Sequence, residues 1–257
     1  MTRRPVDHPG WDSDAWVVDE RYIERVPRRP EIRARLEREC RILRVVAPLL
    51  PHAVPVPVAV EDDDAAPWRL RHDMLPGEAV VPDRLTARDG ERVGVFLRTL
   101  HDLPLAELGL DVEPDDQFPA AITRMEKEVL PLLPAADRPT GEALLVRLSQ
   151  AAPTVLTHRD LGPAHLLVTD GVTGVIDWTD ACLGDPAIDL AWTLHGTPGV
   201  FREALLAAYR PSDGELARSL DWHRLGPWHE VLYGIDESDD ESIESGLDGA
   251  RTRLRLP

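Results

Sequence analysis

Cysteine is almost missing from this chain. Its two copies, Cys40 and Cys182, stand far apart with no CxxC spacing, so neither a disulfide framework nor a structural zinc site is implied. No apolar run is long enough to span a bilayer, and Arg3-Arg4 is followed by Pro5, Asp7 and His8 instead of an apolar stretch. That argues against a secretory signal and sets the expectation of a cytoplasmic protein with no membrane partner. Internal repeats and low-complexity tracts are absent, and so are the glycine-rich GxGxxG and GxxxxGKS loops. Positive charge is scarce as well: 29 Lys and Arg face 46 Asp and Glu, a net charge of −17. Such a field repels nucleic acid and attracts cations, so a cationic small molecule or a metal suits it, although the same excess also serves plain solubility.

What remains is ample for a core. The 257 residues are 43% hydrophobic and 29% charged, which fits one large globular domain or two compact lobes. Trp16-Val17-Val18 and Arg21 to Val26 read as a hairpin turning at Asp19-Glu20. From Glu31 to Leu50 the residues Ile32, Leu36, Ile42, Leu43 and Val46 recur at helical spacing, bracketed by Pro30 and Pro51. Val54 to Val58 and Trp68 to Met74 read as strands on either side of the acidic turn Glu61 to Asp64. After Leu75-Pro76-Gly77 the pattern becomes helical: Val93, Phe96, Leu97 and Leu100 share one face, and Ile122, Met125, Val129 and Leu132 another. The shift predicts a β-rich lobe over residues 1–75 and an α-rich lobe over 76–257, with a ligand cleft between them.

The chemistry concentrates in His158-Arg159-Asp160, His165 and Ile176-Asp177-Trp178. Leu166 to Val168 and Gly174 to Ile176 flank the turn formers Asp170-Gly171, which predicts a hairpin. Centred on Gly171, that hairpin would set His165 opposite Asp177, with β-carbons about 5 Å apart, as a shared metal ion requires. A slip of one residue would turn one of the two away. Asp160 precedes His165 by five residues on a loop bent by Gly162 and Pro163, so it reaches the same edge. A carboxylate that can take a hydroxyl proton beside a metal that neutralises phosphate charge is the division of labour of phosphoryl transfer.

These motifs resemble the catalytic loop and metal-binding motif of the aminoglycoside phosphotransferase and protein-kinase-like superfamily. His165, where most members have asparagine, is similar to the macrolide phosphotransferases, as are Ile176-Asp177-Trp178-Thr179-Asp180-Ala181 and Gly184-Asp185-Pro186-Ala187-Ile188-Asp189. Arg25 to Pro30, Leu75-Pro76-Gly77 and Leu100-His101 extend the likeness over most of the chain, least between Asp111 and Ala152. The resemblance implies an α+β, bilobal protein-kinase-like fold with a small, abbreviated β-rich N-lobe and a larger helical C-lobe. It further implies Asp160 as catalytic base, His165 and Asp177 as ligands of Mg2+, Arg25 on the nucleotide phosphates with Glu39 as its ion-pair partner, and backbone groups of Arg69 to Met74 on the purine. The donor would be ATP or GTP. The acceptor would be a small cationic molecule, macrolide-like in first place and an aminoglycoside, choline-like amine or sugar otherwise.

Some features depart from that pattern or have plainer readings. Gly10-Trp11-Asp12-Ser13 is the only candidate for a phosphate-covering turn, and nine residues precede it, so the first strand is expected to be reduced or absent, or the true start to lie upstream. Glu24 beside Arg25 is expected to compete for the arginine or face solvent. These departures keep an alternative open, a pseudokinase or nucleotide-binding module that has lost transfer. His158 reads best as a buried brace, Asp185-Pro186 as a helix start, and Asp189 as a charge at that helix's positive end. Asp180 is either a third carboxylate at the site or a surface residue, and Trp222, Leu225, Trp228, Leu232 and Tyr233 read as packing.

Overall fold

The computed structural model describes residues 2–6, 12–60 and 68–256. In chain order the elements are β1 (Arg3–Pro5), β2 (Ser13–Val18), β3 (Tyr22–Pro27), α1 (Pro30–Val46), β4 (Val58–Val60), β5 (Arg69–Asp73), β6 (Glu78–Ala79), α2 (Ala87–His101), α3 (Phe118–Arg124), α4 (Arg138–Ser149), β7 (Val155–Thr157), β8 (Leu166–Val168), β9 (Val172–Val175), β10 (Cys182–Gly184), α5 (Ala187–Leu194), α6 (Gly199–Tyr209), α7 (Asp213–Glu237) and α8 (Asp240–Leu254). They fall into two compact units. One comprises Met1–Val112, His158–Ala181 and Thr197–Arg210; the other comprises Glu113–Thr157, Cys182–Gly196 and Pro211–Pro257.

The first unit opens with an antiparallel sheet in the order β1-β2-β3-β5-β4. Its β2–β3 hairpin turns through Asp19 and Glu20, both left-handed at φ 51° and 50°, a conformation a short polar side chain such as Asp19's tolerates better than most. β1 is reduced to three residues. The strand expected over Val54 to Val58 begins only at Val58, because Pro55 and Pro57 have no N–H to offer a ladder. The acidic turn 61–64 lies outside the described residues. α1 starts with Pro30 in its first turn, where a missing N–H costs nothing. Its apolar stripe lays Ile32, Leu36 and Cys40 against Leu70 of β5. Further on, α2 is capped by a reciprocal pair, Thr86 with Asp89, and buries Val93, Phe96, Leu97 and Leu100 as their spacing requires. α6 packs along α2 at Gly90, where a β-carbon would lie 2.0 Å from the Phe201 carbonyl oxygen. β6, β8 and β9 form a second small sheet.

The second unit is helical apart from the β7–β10 pair. Here the expectation for Leu132 fails: it is 49% exposed, and Leu133 is buried in its place. After α3 the chain widens into a π turn, Met125–Val129, and then tightens into a 3-10 turn at Leu130–Leu132. Each change of pitch rotates the residues that follow off the original face. Ile122, Met125 and Val129 do pack together with Trp222, Leu225, Trp228 and Leu232, a core that accounts for the aromatic residues of α7; Tyr233 is half-buried. Asp185 takes the structural part expected of it. Its carboxylate accepts from Ala187 N–H at 3.3 Å, Arg218 Nε at 2.8 Å and Trp222 Nε1 at 3.0 Å, at the mouth of α5. Asp189, in the first turn of α5, is wholly buried. Both cysteines are buried and unbridged, and no helix among the described residues is long and apolar enough to cross a membrane.

Candidate active site

The catalytic-loop motif and the β8–β9 hairpin both belong to the first unit. The hairpin forms around Gly171 at φ 83°, but its register is one residue off the expected one. Leu166 pairs with Val175 and Leu167 with Gly174, and a bulge follows at Val168. His165 therefore faces Ile176, whose N–H donates to the His165 carbonyl at 3.0 Å. The slip does not separate His165 from Asp177, because β9 ends at Val175 and Asp177 has left-handed backbone at φ 66°. That twist, unusual for a residue with a β-carbon, swings the carboxylate back. Asp177 Oδ2 lies 3.7 Å from His165 Nε2. The convergence was legible; the strand-pairing reason for it was not.

His165 Nδ1 donates to the Asp160 carbonyl at 2.6 Å, which leaves Nε2 as the ring nitrogen turned toward Asp177. Asp160 itself stays 54% exposed, with Oδ2 3.7 Å from His165 Nδ1. Behind them His158 is wholly buried. It donates from Nε2 to the Ile176 carbonyl at 2.9 Å and accepts at Nδ1 from Asp160 N–H at 3.3 Å, so it ties the loop to the hairpin as a brace. Trp178 packs its ring 4.7 Å from that of His158.

Arg25 on β3 and Glu39 on α1 meet as the sequence suggested. Arg25 Nη1 donates to Glu39 Oε2 at 3.0 Å and to Oε1 at 3.1 Å, and the guanidinium comes within 3.6 Å of Asp177 Oδ1. Two further contacts carried no assigned role: Arg25 Nε donates to Ser13 Oγ at 3.3 Å, and Arg25 Nη2 donates to Thr179 Oγ1. Of the candidate phosphate turn, Gly10 and Trp11 lie outside the described residues; Asp12 pairs with Arg29 at 3.1 Å and Arg35 at 3.7 Å. Asp180 pairs with Arg35 at 3.0 Å. Glu24 neither competes for Arg25 nor faces solvent. Alternation along β3 turns it to the other side, where it is buried against Arg69 and Arg71.

The sequence signature of the phosphotransferase enzyme family matches residues 4–228. The chain belongs to the phosphotransferase enzyme family. The enzyme class read from its motifs, a phosphotransferase with an alcohol group as acceptor, comes with that membership. This phosphotransferase is 27% identical over 239 residues to viomycin phosphotransferase of Streptomyces vinaceus, an alignment covering 84% of this chain and 82% of the relative. Among solved structures it is similar to the macrolide 2'-phosphotransferase of Brachybacterium faecium, with a TM-score of 0.70, 27% identity and coverage of 100% of this chain and 92% of that one. The GDP complex of aminoglycoside 2'-phosphotransferase-IIIa superposes with a TM-score of 0.82 at 19% identity, covering 99% and 92%. The α+β, protein-kinase-like fold expected from the motifs is the fold of these neighbours.

Electrostatics in the phosphotransferase's site follow from one cation set among several carboxylates. Burial opposes the charge on Arg25, but Glu39 and then Asp177 hold its pKa above the ordinary arginine value. Burial pushes Glu39 up; Arg25 opposes this, and Asp177 adds to the rise. Partial burial also pushes Asp177 upward, yet Arg25 and then His165 bring it below the usual carboxylate range. Among the described residues no group of three or more His, Cys, Asp or Glu side chains could hold a metal by itself. A pair does fit an ion that completes its shell with water and substrate phosphates, as magnesium does. The 3.7 Å between His165 Nε2 and Asp177 Oδ2 is wider than the about 3.0 Å between adjacent octahedral ligands at about 2.1 Å, so a shift of under about 1 Å would bring the pair to an ion.

Proposed function

We propose that this phosphotransferase moves the γ-phosphoryl group of a purine nucleotide, ATP or GTP, to a hydroxyl of a small cationic, antibiotic-like acceptor. A macrolide-like acceptor comes first and an aminoglycoside second. One observation carries the reading: Asp160, His165 and Asp177 gather at one edge with Asp160 open to water. In the proposed step Asp160 accepts the proton of the acceptor hydroxyl as that oxygen bonds to the γ-phosphorus. The bond from γ-phosphorus to the β–γ bridging oxygen breaks, and the nucleoside diphosphate leaves. Arg25 offers its guanidinium to the phosphate oxygens, and Glu39 fixes its direction. His165 and Asp177 would hold Mg2+, which when bound neutralises phosphate charge. Residues 1–75 would hold the nucleotide, and the chain from 76 onward would supply catalysis and the acceptor's seat.

The donor reading is supported by the GDP bound in a solved relative. The acceptor reading is supported by His165, by the macrolide and viomycin enzymes among the relatives, and by the net charge of −17, which draws a basic amine toward the protein. The test is incubation with Mg2+ and either ATP or GTP across macrolides, aminoglycosides and viomycin, read by product mass. The expected result is an acceptor heavier by one phosphoryl group. Nucleotide binding without any phosphorylated product would replace the kinase with a binding module.

A further inference from the structure

Thr179 has no part in the step just described, yet its hydroxyl touches all three charged groups on the phosphate side. It is 4% exposed. It accepts from Arg25 Nη2 and lies 3.2 Å from Asp177 Oδ1 and 3.4 Å from Glu39 Oε2. A hydroxyl has two lone pairs and one proton, so it can satisfy Arg25 while donating to only one of the two carboxylates at a time.

The distances show what this hydroxyl prevents. Arg25 Nη2 is 3.6 Å from Asp177 Oδ1, ion-paired but beyond hydrogen-bond length, and one of its two N–H groups goes to the threonine oxygen. Without that oxygen Nη2 would have Asp177 Oδ1, 3.6 Å away, as an acceptor on which to close. A direct guanidinium–carboxylate pair would be strong and geometrically well matched. It would also occupy a carboxylate oxygen and cancel the negative charge that a divalent cation needs. With the hydroxyl in place the two oxygens of Asp177 divide their work: Oδ1 faces Thr179 and Arg25, and Oδ2 faces His165 Nε2.

We propose that Thr179 is a positioning residue: its hydroxyl keeps the Arg25 guanidinium at ion-pair distance but out of a direct hydrogen bond with Asp177, so that the same few ångströms can carry a phosphate grip and a carboxylate whose oxygens stay open to a metal. This inference rests on the phosphoryl-transfer reading, and sharpens it by naming the group that keeps cation and carboxylate apart.

The experiment measures ATP and GTP binding by titration calorimetry at stepped Mg2+ concentrations for the wild-type chain, Thr179→Val, Thr179→Ser and the double variant Arg25→Ala/Thr179→Val. Melting of each ligand-free protein is recorded alongside. The hydrogen bond removed goes to charged groups, so Thr179→Val should raise the Mg2+ concentration for half-maximal nucleotide binding about tenfold to a hundredfold. Thr179→Ser, which keeps the hydroxyl, should return it to the wild-type value. In the double variant overall affinity falls, but the Mg2+ midpoint recovers, because no guanidinium is left to collapse. If Thr179→Val does not fold, Thr179→Ala carries the same expectation without placing a methyl group against the carboxylates. A lowered ligand-free melting temperature with an unmoved Mg2+ midpoint would make the hydroxyl merely structural and overturn the proposal, as would failure of serine to rescue. A wild-type chain whose nucleotide binding ignores Mg2+ would overturn this inference and the phosphoryl-transfer reading together; a normal wild-type response shared by Thr179→Val would remove only the role of Thr179.

Discussion

Glu24 and Glu39 are equally hidden from water, each with 1% of its side chain exposed, and they sit in opposite electrostatic worlds. Glu24 points to one face of β3 and is ringed by three arginines: Arg71, Arg69 at 3.2 Å and Arg3 at 3.9 Å. Burial pushes its pKa up, but Arg71 and Arg69 more than reverse this and hold it below the usual carboxylate range. Glu39, reached by Arg25 from the other face, shares that arginine with Asp177, and burial leaves it above that range. Surplus cation makes a strut. A shortage leaves residual negative charge beside Asp160 and His165, which suits the cation of the proposed reaction. One strand thus carries two ion clusters of opposite charge balance on consecutive residues, and the proposed function gives work to only one of them.

If that division is right, variants on the two faces should damage different properties. The largest effect belongs to Asp160→Ala: its carboxylate is half-exposed, with Oδ2 3.7 Å from His165 Nδ1. Turnover should fall about 10²- to 10⁴-fold with an unchanged melting temperature, and near-normal activity would remove Asp160 from the mechanism. Glu24→Ala should do the reverse. Stripping the counter-charge from buried Arg69 should cost about 3–5 kcal/mol of stability in urea melts, while whatever protein remains folded keeps its nucleotide affinity. A loss of affinity at full stability would erase the distinction between the faces. Smaller again, Arg25→Lys keeps the charge but loses the fork that reaches Ser13, Glu39 and Thr179 together. KM for the nucleotide should rise about tenfold with little change in stability.

Much of this was legible because the deciding signals are local. The β2–β3 turn, the stripe of α1 and the apolar face of α2 each depend on residues a few positions apart. The Arg25–Glu39 pair and the meeting of Asp160, His165 and Asp177 came from the family likeness and from residue types that have few other uses in such spacing. Where the reading failed, geometry between elements intervened. The hairpin slipped by one because a bulge and a left-handed aspartate lie beyond what alternation encodes. Leu132 turned outward because a π turn changed the helical pitch before it. Glu24 looked like a misplaced charge because its arginines lie on β1 and β5, distant in sequence. Thr179 was written in the motif but silent; only the side chains around it show why a hydroxyl stands two residues after Asp177. Composition held one unused hint: Lys127 is the chain's sole lysine, so a basic residue near the phosphates had to be an arginine.

The smallest effect tests the comparison most directly, through the sign of its pH dependence. Glu24's folded pKa lies below its unfolded value near about 4.3, so the unfolded chain takes up its proton first. Its contribution is fully present above that pH and drains away as pH falls through the folded pKa. Glu39 is raised, so its contribution is complete below the unfolded pKa and is lost as pH climbs through the folded one. In urea melts stepped from pH 7 to pH 3, the stability of wild type over Glu24→Gln should therefore shrink toward the acid end. The stability of wild type over Glu39→Gln should move the other way. Neither slope should exceed about 1.4 kcal/mol per pH unit, the limit for one proton. Parallel slopes of one sign would mean that burial alone governs both glutamates, and that the arginine count on each face of β3 does not separate strut from site.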